Sequence, residues 1–131
     1  MDKVLGRTIP EPIPSRIAVV GVCAAGKTTL VQRLRAAGYD AVQCGQEHSY
    51  VPQMWQLLTR PEVLIYLSAS LDVVRHRRWP PLRRFIYEAQ LERLAHAKAH
   101  ADLVVDTDDR TRDGVARVVM DALEHLGHRR S

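Results

Sequence analysis

Residues Arg16–Leu34 read RIAVVGVCAAGKTTLVQRL. A β-branched run, Ile17–Val20, breaks at Gly21, and Gly26, Lys27 and Thr28 follow before a helix-like pattern begins. A continuous apolar run of this length suits a strand covered on both faces, as in a parallel sheet. Leu30, Val31 and Leu34 then make the stripe of an amphipathic helix that Gly38 can end. The junction, Gly21–Thr28, fits G-x-x-x-x-G-K-[ST].

Each position of that pattern has a physical reason. Phosphate oxygens need several backbone N–H groups at once, so the loop must curl tightly, which favours glycine at 21 and 26. A helix beginning near Lys27 aims its free amides and positive dipole end at the same point. Lys27 adds a point charge near β- and γ-phosphates, and the Thr28 hydroxyl suits Mg²⁺. The expected phosphate-binding set is therefore Gly21, Ala24, Ala25, Gly26, Lys27, Thr28 and Thr29. Cys23, inside the loop, reads as a small residue there, with a redox-sensitive thiol as the lesser alternative.

Outward from the loop, three more segments read as strands: Ala41–Cys44, Val63–Leu67 (VLIYL) and Leu103–Asp106 (LVVD). Helical patterns separate them at Val51–Leu58, Leu71–Arg78 and Phe85–Ala101, and a last one runs through Val115, Val119 and Leu123 to Gly127. Alternating strands and helices imply an α/β fold, three-layered α/β/α, around a parallel sheet of about four strands with right-handed crossovers. Pattern alone leaves the strand order open. Residues 1–15 carry prolines at 10, 12 and 14 and read as an extended leader over the surface. A single domain is expected over 16–127, with a tail at 128–131.

The 131 residues carry a formal net charge of +4. Sixteen of the 19 cations are arginines, and Arg75, Arg77, Arg78, Arg83 and Arg84 lie within ten residues. Such a cluster suits an anionic partner; a solvated face is the plainer reading. Two cysteines make no disulfide framework, and the start has no signal-like pattern, so a reducing cytoplasm is expected. No apolar run approaches the roughly 20 residues needed to span a bilayer. Nucleic acid is not expected as a partner, because the charge is mild and aromatic platforms do not interleave with it.

The chain resembles the P-loop kinases of small molecules, the group that includes nucleoside, nucleotide and shikimate kinases. The P-loop carries the likeness, together with RPEVLIYLSASLDVVRHRR, Arg60–Arg78, and ADLVVDTDDRTRDGVARVVMDAL, Ala101–Leu123. The resemblance implies ATP or another NTP with Mg²⁺, arginines leading into a lid, and an Asp-Thr pair, Asp106 and Thr107, near the base. It also implies that Arg75 and Arg78, three apart on one helical face, clamp the transferring phosphoryl group. Arg77 is then expected to face solvent. Such kinases usually have another strand and an acceptor-binding segment after the first helix, whereas only residues 39–62 lie between Gly38 and Val63 here.

Among acids, Glu47 follows the second strand at its carboxyl end, where ligands collect in open α/β sheets. A carboxylate there can hold Mg²⁺ or take a proton from an acceptor hydroxyl; a surface loop glutamate is the alternative. Asp40 precedes that strand and belongs at the opposite end. His48 reads as packed or solvated, and Tyr50 and Trp55 either wall an acceptor pocket or cover the sheet. His96 and His100 have helical metal spacing but no evident third ligand, and are expected to be exposed.

The expected function is an ATP-dependent phosphotransferase acting on a small-molecule acceptor. The alternative is a nucleotide-binding NTPase or regulatory module without one. A GTPase of the common kind is disfavoured: its Asn-Lys-x-Asp guanine reader needs asparagine, and this chain has none.

Overall fold

The computed structural model describes residues 3–4 and 7–128. Its elements are β1 (Lys3–Val4), β2 (Arg7–Thr8), β3 (Ile17–Gly21), α1 (Lys27–Ala36), β4 (Ala41–Gln43), a single 3₁₀ turn (Gln46–His48), α2 (Met54–Thr59), β5 (Val63–Ser68), α3 (Leu71–Arg77), α4 (Arg84–His100), β6 (Leu103–Asp106) and α5 (Arg112–His125). The main sheet is four-stranded and wholly parallel, in the order β4-β3-β5-β6. All five residues of β3 are buried, as its β-branched run requires at the centre of a covered sheet. Helices α1 and α5 pack together against one face, and α4 and α2 meet the other, giving three layers.

Local signals end the elements where the chain must turn. Gly38, at φ 96°, follows the C-cap of α1; its amide bonds the Arg35 carbonyl and the Tyr39 amide bonds Leu34. Gly127, at φ 71°, repeats that arrangement after α5, with His128 bonded back to Leu123. Both are Schellman ends, which need a left-handed residue. The α3 and α5 starts are capped by Ser70 and Thr111 side chains, which accept from the Val73 and Gly114 amides. Helix α2 begins at Met54 rather than the expected Val51, because the proline at 52 pushes the preceding residue out of helical backbone.

Two boundaries differ from expectation. The leader contains a small antiparallel ladder pairing Lys3 with Thr8 and Val4 with Arg7, upstream of its prolines. His128, expected in the tail, turns back on the body: its Nε2 lies 2.9 Å from the Ser15 carbonyl and its ring stacks on Tyr39. The left-handed Gly127 supplies that reversal. Residues 129–131 fall outside the described residues. No helix among the described residues is long and apolar enough to cross a membrane.

The order of strands places a switch point between β3 and β5, since the chain passes to β4 on one side of β3 and returns to β5 on the other. The carboxyl ends of strands at such a switch form a crevice.

Candidate functional site

The loop leaving β3 opens this crevice. Gly21 pairs in register with Leu67 of β5, and a Cβ there would lie 2.5 Å from the Leu67 carbonyl oxygen. The neighbouring strand's backbone therefore demands this glycine, whereas the sequence reading assigned the demand to phosphate. Gly26 is different: at φ 103° it is left-handed, and a Cβ would meet nothing within 4 Å. Its constraint is conformational. Ala24, at φ 62°, completes the curl. Gly26 is the N-cap of α1 and offers no side-chain acceptor, so the first-turn amides of that helix have no capping bond.

Lys27 opens α1 but is only 5% exposed. Its Nζ donates to the Gly21 carbonyl at 2.8 Å, the Val22 carbonyl at 3.0 Å and Glu47 Oε2 at 2.6 Å. Glu47 belongs to the 3₁₀ turn after β4 and is equally buried. Its second oxygen, Oε1, is buried with no hydrogen-bond partner. A buried carboxylate oxygen without a donor is costly, and Glu47 is one of the residues that line the cleft. It fits a cation or a proton donor brought by a ligand. The Thr28 hydroxyl donates to Gln43 Oε1 at 2.8 Å.

The turn bearing Glu47 is held from behind. Gln46 is fully buried; its Oε1 accepts from the Trp55 amide and its Nε2 donates to the Val51 and Arg93 carbonyls. Arg93 in turn donates to the Glu47 carbonyl at 3.3 Å and to the Tyr50 hydroxyl. From the same helix, buried Gln90 accepts the Cys23 amide at 3.0 Å. Helix α4 thus supports both the loop and the acid.

The opposite wall comes from the end of α3, the loop after β6 and the start of α5. Arg77 donates to the Ala24 carbonyl and to Thr107 Oγ1, both at 3.1 Å, and to the Thr107 carbonyl at 2.7 Å. Thr107 is buried and donates to Ser68. Arg110 and Arg112 also line the cleft, whose volume is about 660 Å³, within the range of small-ligand sites. Three guanidinium groups and an uncapped helix start bias the space toward anions.

The expected residues do not all meet here. Ala24, Ala25, Gly26, Lys27, Thr28, Thr29, Glu47 and Thr107 line the cleft; Gly21 and Asp106 do not. Asp106 is exposed and its carboxylate accepts the Asp108 amide. The paired clamp of Arg75 and Arg78 is not formed. Helix α3 ends at Arg77, and Arg78 has extended backbone, so the three-residue spacing no longer shares a face. Arg75 is turned to the Leu82 carbonyl at 2.9 Å, and Arg78 reaches only to 4.0 Å from Cys23 Sγ. Arg77, expected in solvent, is the arginine of the 75–84 cluster that lines the cleft.

Asp40 lies at the far end of the sheet, bonded to Arg16. Tyr50 is exposed and Trp55 is buried against the sheet. His48 is largely exposed, its Nε2 3.8 Å from Glu47 Oε2. His96 and His100 stack at 4.1 Å, and Trp55 Nε1 donates to His96 Nδ1. Burial first, and His100 second, lower the pKa of His96. No group of three metal-capable side chains occurs among the described residues. Burial pushes the Cys44 thiol up to about 11.

No protein-family model matches the sequence, and no significant match occurs among curated proteins. The chain is similar in structure to the YorR protein of Bacillus subtilis, whose crystal structure is a complex with phosphorylated GDP. The TM-score is 0.56 over 88% of this chain and 99% of that one, at 13% sequence identity. The likeness shows a shared fold.

Proposed function

We propose that this chain binds a nucleoside triphosphate with Mg²⁺ in the cleft after β3 and transfers its terminal phosphoryl group to a small-molecule acceptor. The observation that carries this reading is the buried Lys27–Glu47 pair, both residues lining an arginine-bearing cleft, with one Glu47 oxygen left without a donor. In this reading Gly26, Lys27 and the first-turn amides of α1 take the phosphates, and Lys27 meets the β- and γ-phosphates. The Thr28 hydroxyl and Glu47 are the groups fit to hold Mg²⁺, which when bound offsets phosphate charge. Glu47 alternatively takes the acceptor's proton. The clamp assigned from sequence to Arg75 and Arg78 passes to Arg77, with Arg110 and Arg112 beside it, and Thr107 borders the base. The phosphorylated GDP carried by the structural neighbour supports nucleotide as the ligand; the base is an open variable of the experiment.

One observation favours the alternative, a nucleotide-binding NTPase or regulatory module. The segment where an acceptor pocket would form is filled by Gln46 and Trp55, which pack against α4 and the sheet. Calorimetry with the four NTPs, with and without Mg²⁺, followed by an acceptor screen for diphosphate formation, separates the two. Acceptor-dependent turnover favours the transferase; acceptor-independent hydrolysis, or binding alone, favours the module. No affinity for any NTP removes both.

A further inference from the structure

Beside the cleft, the chain between α3 and α4 presents a surface that nucleotide binding leaves unused. Five arginines and no acid lie between Asp72 and Glu88. Arg75 and Arg77 are engaged inward, on Leu82 and Thr107. The Arg83 and Arg84 side chains are exposed and make no hydrogen bond or ion pair among the described residues, and Arg78 is exposed beside the loop after β3. Between and after them, Trp79 is 88% exposed and Phe85 65%. Neither ring contacts another ring among the described residues.

Single exposed apolar side chains are ordinary, and others occur on this surface; what sets Trp79 and Phe85 apart is that each adjoins exposed guanidinium groups. The segment is also pinned. Leu82, in its middle, is buried in the core, and Arg75 holds the Leu82 carbonyl. The rings and guanidinium groups are thus displayed from a fixed base. Alternation of free arginines with bare aromatic faces is the arrangement that binds a single nucleic-acid strand: cations meet phosphates, and each ring takes a base of any identity. A membrane-binding element instead segregates apolar and basic faces along one helix. Here the two kinds alternate along the chain, and Glu88 and Glu92 follow on the exposed part of α4.

We propose that residues 78–86 form a docking platform for single-stranded nucleic acid, with Arg78, Arg83 and Arg84 on its phosphates and Trp79 and Phe85 stacked on its bases. The sequence alone argues against nucleic acid through a mild net charge and the want of interleaved aromatics; the exposure of Trp79 and Phe85 answers the second, and the local run of arginines outweighs the first. The platform does not depend on the nucleotide reading of the cleft.

The protein carries its own reporter, because Trp55 is buried and Trp79 is the only other tryptophan. Titration of the full chain with a dT oligonucleotide should quench Trp79 emission in parallel with the anisotropy of a labelled oligonucleotide. Trp79→Ala and Phe85→Ala should each weaken binding roughly tenfold, the effect of losing one stacked base. Arg83→Gln with Arg84→Gln should reduce the magnitude of the slope of log K against log salt by about 1.4, two single-strand contacts, while nucleotide affinity in the cleft stays unchanged. All four side chains are exposed, and thermal melts should match the parent. The proposal is overturned if the oligonucleotide does not bind at low salt, or if these variants bind it as the parent does. Equal affinity for an abasic oligonucleotide also overturns it. So does binding of phosphatidylglycerol vesicles, with loss on Trp79→Ala, when the oligonucleotide shows none.

Discussion

Two ion pairs stand at opposite ends of the central strand. At the amino end of β3, Arg16 meets Asp40 at 2.9 Å with side chains 25% and 34% exposed. At the carboxyl end, Lys27 meets Glu47 at 2.6 Å with both at 5%. Water screens the first, so it adds about 0–1 kcal/mol. The second has lost its water on both sides, and its attraction must offset a desolvation cost that an apolar pair would not incur. One carboxylate oxygen there has no donor at all. The same chemistry is a minor brace at one end and a buried, incompletely satisfied arrangement at the other. The unsatisfied one stands at the carboxyl ends of the strands.

The largest expected effect comes from Lys27→Ala. It should abolish Mg-NTP affinity, by a hundredfold or more on the order of a lost buried charge contact. It should also destabilise the fold by about 3–5 kcal/mol, because Glu47 is left charged and unpaired. Calorimetry and urea unfolding measure the two. Adding Glu47→Gln should restore most of the stability and none of the affinity. A single variant as stable as the parent would make the two pairs equivalent and break the comparison.

Next is Glu47→Gln alone. It keeps the side chain's size and one acceptor, and leaves Lys27 its two carbonyl partners. Turnover should fall far more than nucleotide affinity, read as a kcat loss at nearly constant Kd. Full turnover would reduce Glu47 to a prop for the lysine.

A smaller effect is expected at the arginines. Arg77→Lys keeps charge but loses the planar fork that spans Ala24 and Thr107, and should lower kcat about tenfold. Arg75→Lys, made beside it, should cost less, since its partner is the Leu82 carbonyl. A larger loss at Arg75 would return the clamp to the position chosen from sequence.

The smallest is Asp40→Asn. Unfolding free energy should drop by less than about 1 kcal/mol, and the difference should shrink further in 1 M salt. A salt-independent loss of several kcal/mol would erase the contrast.

The elements of the fold were legible because burial writes itself into periodicity: Ile17–Gly21 and Val63–Ser68 are buried nearly end to end. Strand order was not, since an apolar run reports that a strand is buried and not which strand lies beside it; β4 and β5 both pair with β3, on opposite sides. The turn from β3 into α1 was legible because Gly21 and Gly26 mark it, one through close approach of Leu67 and the other through left-handed backbone. The arginines could not. Their assignment assumed that α3 continues through Arg78, and a helix that stops one residue earlier redirects every side chain beyond it. Gln90 and Arg93 gave weaker signs. Gln90 shares a buried stripe with Leu94 and Ala97, so a polar residue at a core position was the available clue to the support that α4 gives the loop.

The three hydrogen bonds of Lys27 have a consequence for which ions can enter. An ammonium group has three protons, and Gly21, Val22 and Glu47 take one each. No proton is left over for a visitor, so occupancy is an exchange reaction in which an incoming anion displaces an internal acceptor. Chloride or formate, with one charge and few acceptor atoms, would offset that displacement poorly. A polyphosphate meets the arginines and helix amides at the same time and would offset it better. At Lys27 itself, the cost of entry thus rises before any ion is bound, and falls only for a ligand with several acceptors.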